Sequence, residues 1–276
     1  MTTDKRQHVH GMWAAVADRW VQNADYVERR AGGINKALLD GAEIGPSDRV
    51  LELACGPGGL ALAAAAVASE VVASDVALAM VEAAAARAID AGVSNFTAKV
   101  LDLEAIAEPD SSFDAVLVRE GLMFAVDPAA AVAEIARVLK PGGRAAASVW
   151  GPKADNPWLA IVLDSVAAQL GFEVPPPGMP GPFSLADGER FAGLFRDAGF
   201  TDVELTTAAA PLHADSLEEW WLRTSSLAGP VAGIIATLPS SVKGDLDQRV
   251  REAALPYLSA DGIDFPGLTL VVTART

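Results

Sequence analysis

Cysteine occurs once in this 276-residue chain, at Cys55. That excludes an internal disulfide and a thiolate zinc site, which both need paired cysteines; no metal site is expected. Basic residues are scarce, with 21 Lys and Arg against 36 Asp and Glu, a formal charge of −15. Phosphate backbones are gripped by clustered cations, so nucleic acid is not an expected partner. No apolar run approaches the roughly 18 residues of a membrane span. The opening MTTDKRQHVHGMWAAVADRW also lacks the apolar stretch of a secretory signal. A cytoplasmic protein without membrane insertion is expected. Aromatics are only 6% of residues and histidines number three, while hydrophobic residues reach 51%, ample for a buried core. A small molecule is the expected partner, and a homodimer is left open.

Trp13, Val16, Trp20 and Val27 recur near helical spacing, which predicts one or two amphipathic helices over residues 7–31. INKALLDGAEI reads as a short separate helix, and from residue 49 the chain alternates. RVLELA, EVVASD, NFTAKVLD and FDAVLVRE read as strands, and LALAAAAVA, LAMVEAAAARAIDAG and PAAAVAEIARVLK as helices. The strands are almost continuously apolar, as strands buried on both faces are, and the alternation implies a parallel sheet. Asp127 before Pro128 is a helix start, and Lys140-Pro141-Gly142-Gly143 a helix stop before RAAASVW resumes as strand. The pattern then breaks and returns at GERFAGLFRDAGF, TDVELTTAA and the final FPGLTLVVTART. The chain therefore divides as one domain over 1–276, with an N-terminal helical cap at 1–34 and a core at 35–150. Insertions at 151–185 and 208–265 cap the substrate, and 186–207 with 266–276 complete the core sheet.

The stretch VLELACGPGGLALAAAA places glycines between a strand and a helix. Glycines there let a ligand approach the backbone closely, and the helix start offers free amides. A dinucleotide fingerprint is one reading, with Gly56, Gly58 and Ala61 in the G-x-G-x-x-G/A positions. Glu52 inside the strand and Pro57 between the glycines favour a second cofactor class.

ELACGPGG resembles motif I of the class I S-adenosylmethionine-dependent methyltransferases. The likeness continues through EVVASD, VLDLEAI, FDAVLVREGLMFAVDPAAAVAEIARVLKPGG and AGLFRDAGFTDVEL. Within that family the chain is similar to the ubiquinone/menaquinone-biosynthesis-like methyltransferases of small molecules. The resemblance implies a Rossmann-like, seven-stranded, mostly parallel α/β sheet with helices on both faces, an antiparallel last strand and helical cap insertions. It implies S-adenosylmethionine as cofactor. Gly56 and Gly58 would pass its methionyl part, and Glu52 would order the loop or meet the amino group. Asp75 would accept from the ribose hydroxyls, a task suited to a carboxylate because it offers acceptors only. Asp102 and Leu103 would meet the adenine, and Arg119 would present its carbonyl to the ammonium. Ala54, Val76, Met80 and Tyr26, the last as an N-terminal aromatic lid, complete the expected cofactor set.

The residues after Arg119 are Glu120, Gly121, Leu122 and Met123, where relatives carry a histidine. Glu120 is therefore the first candidate acid or base and His213 the second. His8 and His10 are expected in an exposed terminal segment. Trp20, Trp150, Trp158, Trp220 and Trp221, with Asn23, are the candidate acceptor contacts, implying an apolar or aromatic acceptor of a methyl group on O, N or C. A nicotinamide-dependent oxidoreductase is the competing enzyme class, lacking a Tyr-x-x-x-Lys here, and a non-catalytic ligand-binding protein is the competing non-enzyme.

Overall fold

Residues 2–276 are described in the computed structural model. Two helices, α1 (Thr2–Gln22) and α2 (Ala24–Ala42), precede β1 (Arg49–Leu53). There follow α3 (Gly59–Ala65), β2 (Glu70–Asp75), α4 (Leu78–Asp90), β3 (Phe96–Val100) and β4 (Phe113–Arg119). Next come α5 (Pro128–Val138), β5 (Leu139–Trp150), α6 (Pro157–Leu170), α7 (Gly188–Asp197) and β6 (Thr201–Ala209). A last stretch holds β7 (Leu212–Ala214), α8 (Leu217–Leu227), α9 (Pro230–Thr237), α10 (Ser240–Ala254), β8 (Leu258–Ser259), β9 (Gly262–Phe265) and β10 (Leu268–Arg275).

Seven strands form one sheet in the order β3-β2-β1-β4-β5-β10-β6. The first five run parallel, while β10 lies antiparallel between β5 and β6. The apolar runs are explained by two cores, one on each face. Val50, Val71, Ala115 and Leu117 face the core under α2 and α3, while Leu51, Val72, Val116 and Val118 face the one that includes α5 and α7. With a side-chain period of two, consecutive apolar residues feed opposite cores.

Local signals match the observed ends. Asp127 caps α5 by accepting from the Ala130 amide at 3.0 Å, with Pro128 in the first turn. Ser216 caps α8 by accepting from Glu219 at 3.1 Å. Three expectations need correction. The helix predicted over INKALLDGAEI is continuous with α2, so the boundary drawn at residue 34 falls inside a helix. α5 does stop at Val138, but Lys140–Gly143 already belong to β5 as a bulge: register on β4 jumps from Phe113↔Leu139 to Ala115↔Arg144. A second sheet, β7-β9-β8, was not predicted, because strands of two to four residues are too short to show alternation.

Asn156 joins the insertion to the sheet. Its buried amide donates to the Leu268 carbonyl at 2.9 Å, and its Oδ1 accepts from the Leu268 amide at 3.1 Å. Substituting Asn156→Ala orphans the Leu268 amide, while the Leu268 carbonyl keeps the Gly151 amide at 2.9 Å, and is expected to cost about 1–3 kcal/mol, read as a lower urea midpoint at unchanged m-value. A loss below about 0.5 kcal/mol would show that the tie carries nothing.

Candidate active site

The sheet order reverses beside β1, whose neighbours β2 and β4 leave it on opposite sides, and ligands of open α/β sheets bind at such a point, off the strands' carboxyl ends. One cleft opens there, with a free volume of about 1480 Å³ including its mouth. Its floor is the glycine loop. Gly58 has φ +81°, and a Cβ there would strike Ala84 of α4, so glycine is required for packing as well as conformation. Ala54 and Glu120, at the ends of β1 and β4, both take positive φ, +52° and +54°. Neither is glycine, and each such residue costs on the order of 1–3 kcal/mol, a strain typical of ligand sites.

Ala54, Gly56, Asp75, Val76, Met80, Asp102, Leu103, Arg119 and Glu120 all line the cleft. Asp75 is 9% exposed and accepts from the amides of Gly56 at 3.0 Å and Ala77 at 2.9 Å. Burial raises its pKa, and those amides restrain the rise. Asp102 accepts from the Glu104 amide at 2.8 Å, and its other oxygen faces Arg6 at 3.3 Å and His10 at 3.6 Å. His10 is thus half-buried on α1 over the cleft, contrary to its expected place in an exposed terminus, whereas His8 is exposed. Cys55 is 2% exposed, and burial pushes its thiol well up, away from thiolate chemistry.

Charged residues alternate across the gap between α2 and β4. Arg119 reaches both Glu28 oxygens, at 2.6 and 2.8 Å, and donates to Asn35 at 2.8 Å. Glu120, the next residue, receives Arg30 at 2.9 Å and Thr269 at 3.4 Å. Burial works against both charges of the first pair, yet the mutual bond holds Glu28 below and Arg119 above their ordinary values. Glu120 therefore enters the cleft already engaged by a cation.

Other expected site residues lie elsewhere. His213 is exposed on β7, with Nδ1 2.8 Å from Asp264 on β9, and does not line the cleft. It is corrected to a cross-strand pair with Asp264, because the strand carrying it belongs to the small sheet. Trp220 is fully buried, donating to the Trp158 carbonyl at 3.2 Å, and Trp221 packs beside it; neither reaches the cleft. Trp20 and Trp150 do line it, while Trp158 and Tyr26 line an adjoining chamber, so Tyr26 is no lid over the glycine loop. Asn23 accepts from Arg223 at 3.2 Å at the helix junction. Gly58 and Glu52 lie beneath the lining rather than in it.

Sequence reasoning missed Trp13, Phe124 and Arg30. Trp13 meets Phe124 edge-on at 4.8 Å and Trp20 at 5.9 Å, making an aromatic wall that continues through Trp150. The Trp13/Trp20 spacing was the available signal. Nothing local marked Arg30.

Glu52 is 1% exposed with neither carboxylate oxygen partnered, and burial lifts its pKa from 4.5 to about 8. The folded chain thus retains a proton that the unfolded chain loses. Stability from this group is expected to fall as pH rises from about 4.5 to about 8 and to level off beyond. Glu52→Gln should flatten that slope and raise stability at pH 8.5 by a few kcal/mol, as read in melting curves across pH. Parallel curves for the two proteins would contradict this.

The geometry can be set against known proteins. The methyltransferase domain family matches residues 51–147. The chain is 31% identical over 230 residues to the ubiquinone/menaquinone biosynthesis C-methyltransferase UbiE of Bordetella parapertussis, covering 76% of this chain and 87% of that one. It is 26% identical over 243 residues to an uncharacterized Mycobacterium tuberculosis protein, covering 86% and 85%. The YcgJ protein of Bacillus subtilis shares the fold, with a TM-score of 0.60 at 22% identity over 88% of this chain and 97% of that one. The carboxylates that line the cleft at the end of β2 and beyond β3, Asp75 and Asp102, suit the hydroxyls and amino groups of such a cofactor. The chain belongs to the class I S-adenosylmethionine-dependent methyltransferases, with S-adenosylmethionine as its cofactor.

Proposed function

We propose that the chain methylates a small, mostly apolar or aromatic acceptor by direct in-line displacement. The observation that carries this reading is one continuous cleft, with the glycine loop and acidic strand ends on one side and Trp13, Trp20, Phe124 and Trp150 on the other. Bound there, S-adenosylmethionine supplies an electrophilic methyl group.

Each residue then has a physical task. Asp75 holds the ribose, Asp102 and Leu103 the adenine, and the backbone at Gly56 and Arg119 the methionyl end, while Ala54, Val76 and Met80 shape the seat. Arg119 is immobilised by Glu28 and Asn35, which fixes the carbonyl beside it. Glu120 holds Arg30 in place rather than serving as a free base, since its carboxylate is shared between Arg30 and Thr269. Transfer to an already reactive nucleophile then relies on placement, which alone supplies a large part of such rates. The aromatic wall excludes water and orients a flat acceptor.

A turnover assay with phenols, enols, quinols and amines, following S-adenosylhomocysteine release, tests this reading. Methylation of polar amines in preference to aromatic acceptors would refute it. Asp75→Asn, which keeps one acceptor but removes the charge, should weaken S-adenosylhomocysteine binding about 10- to 100-fold by calorimetry. Asp75→Asn also leaves one of the Gly56 and Ala77 amides without an acceptor, and Asp75→Ala, which leaves both, should lower stability further, by about 1–2 kcal/mol. Unchanged affinity in the Asn variant would remove Asp75 from the site.

A further inference from the structure

Beside the main cleft lies a second chamber of about 410 Å³, sharing Trp20, Val27, Trp150, Leu159, Leu227 and Ala228 with it. Among the described residues, seven buried side-chain polar atoms have no hydrogen-bond partner, and four of them belong to residues lining this chamber: Tyr26 Oη, Arg30 Nη1, Trp150 Nε1 and Thr224 Oγ1. An unpaired buried polar atom costs about 1–3 kcal/mol, and native folds tolerate few. Four of the seven on residues that line one chamber point to a group that pairs with them.

Their chemistry says which group. Guanidinium and indole nitrogens donate only, and the two hydroxyls can donate as well, so the matching ligand presents acceptors. Arg30 is positioned for this. Its side chain is 9% exposed, with its guanidinium 4.6 Å from the Trp158 ring centre and 5.6 Å from that of Trp150, and its Nη2 is anchored on Glu120 at 2.9 Å. Nη1 is left over. Local charge favours an anion even in a chain of net charge −15. Arg29 and Arg223 lie 5.7 and 4.6 Å from the Tyr26 ring centre, so with Arg30 three cations face two acids, Glu120 and Glu219. A ligand ammonium would meet guanidinium repulsion and find no acceptor on Arg30 or Trp150.

We propose that this chamber seats a carboxylate on the methyl acceptor, making the substrate an apolar or aromatic carboxylic acid. The carboxylate accepts from Arg30, Trp150, Tyr26 and Thr224. The apolar body crosses the shared wall into the main cleft, where the atom to be methylated meets the cofactor. The assignment rests on the methyltransferase reading only for the chamber's role in turnover; the carboxylate site itself stands apart from it.

The test uses the whole chain with saturating S-adenosylhomocysteine, whose own binding is measured first, so that failure of the cofactor reading is seen separately. Benzoate, 2-naphthoate and decanoate are titrated by tryptophan fluorescence and calorimetry, each against its primary amide. At least one acid should bind saturably and at least tenfold tighter than its amide. Tyr26→Phe and Thr224→Val, which leave the Arg30–Glu120 pair intact, should each weaken that acid at least fivefold while leaving the amide and S-adenosylhomocysteine unchanged. Both variants should also melt higher than the parent without ligand, since each removes an orphaned polar atom. Equal binding of acid and amide, failure of all three acids to bind, or equal losses for acid and amide in the variants would overturn the proposal. The acid-to-amide comparison on the unaltered chain decides the matter even if a variant does not fold.

Discussion

The buried bond between Arg119 and Glu28 is the constraint on which the site depends. Removing two charges from water costs several kcal/mol each, and the pair recovers this only through close geometry with its remaining donors satisfied. Here the guanidinium side chain is 7% exposed, reaches both carboxylate oxygens and adds a bond to Asn35. Such a pair adds little net stability, but its failure would leave a naked charge inside the protein, and so it specifies register. If α2 slid by one residue, Val27 or Arg29 would stand where Arg119 needs an acid. Gly59 belongs to the same constraint, because a Cβ at that position would collide with the Glu28 carboxylate. The helix that roofs the site, the strand that ends in it and the first turn after the glycine loop are thus fixed by one interaction.

From that register the second pair follows. With Glu28 opposite Arg119, Arg30 falls opposite Glu120, whose left-handed backbone turns its carboxylate toward α2. Ala54 adopts the same conformation at the end of β1, and a Cβ on Gly121 would collide with it, so the two strand ends touch. Two strained residues in contact persist only where their surroundings dictate them. Here α2 does so from above and the sheet from below, with the Glu120 amide donating to the Ser148 carbonyl at 2.9 Å.

How much of this the sequence carried depends on distance along the chain. The strands, glycine loop and helix start at Asp127 were legible because periodicity and capping are local. The cofactor candidates were legible because an acidic residue at a strand end is a feature of the strand itself. Arg30 could not be read, since its role depends on Glu120, ninety residues away. Five of the six tryptophans, those read as acceptor contacts, illustrate the same limit. Trp20 and Trp150 line the cleft, Trp158 stacks on Arg30, and Trp220 and Trp221 pack in the interior. Residue type is shared by all five, and only the folding of α1 and α8 over the sheet separates them. His213 was misplaced for a related reason: a three-residue strand gave no sign that it pairs with β9 instead of joining the main sheet.

Polarity is divided between the two ends of the cavity, and the division has a chemical logic. Around the glycine loop the acids Asp75, Asp102, Glu104 and Glu120 stand with Arg6, His10 and Arg119, a slight acidic excess that suits a cofactor carrying a sulfonium and an ammonium. Lining the chamber is Arg30, with one unspent donor, and Arg223 and Arg29 stand near its Tyr26 wall. An acidic group facing a cationic methyl donor favours the charge present before transfer, so in the proposed reading those carboxylates serve binding and would oppose the reaction if they lay close to the sulfur. Reaction requires instead that the acceptor be fixed from its far end, leaving the region near the sulfur apolar. An aromatic wall between an acidic seat and a cationic one does this. It keeps full charges apart across a low-dielectric gap, where a misplaced one would be felt most strongly.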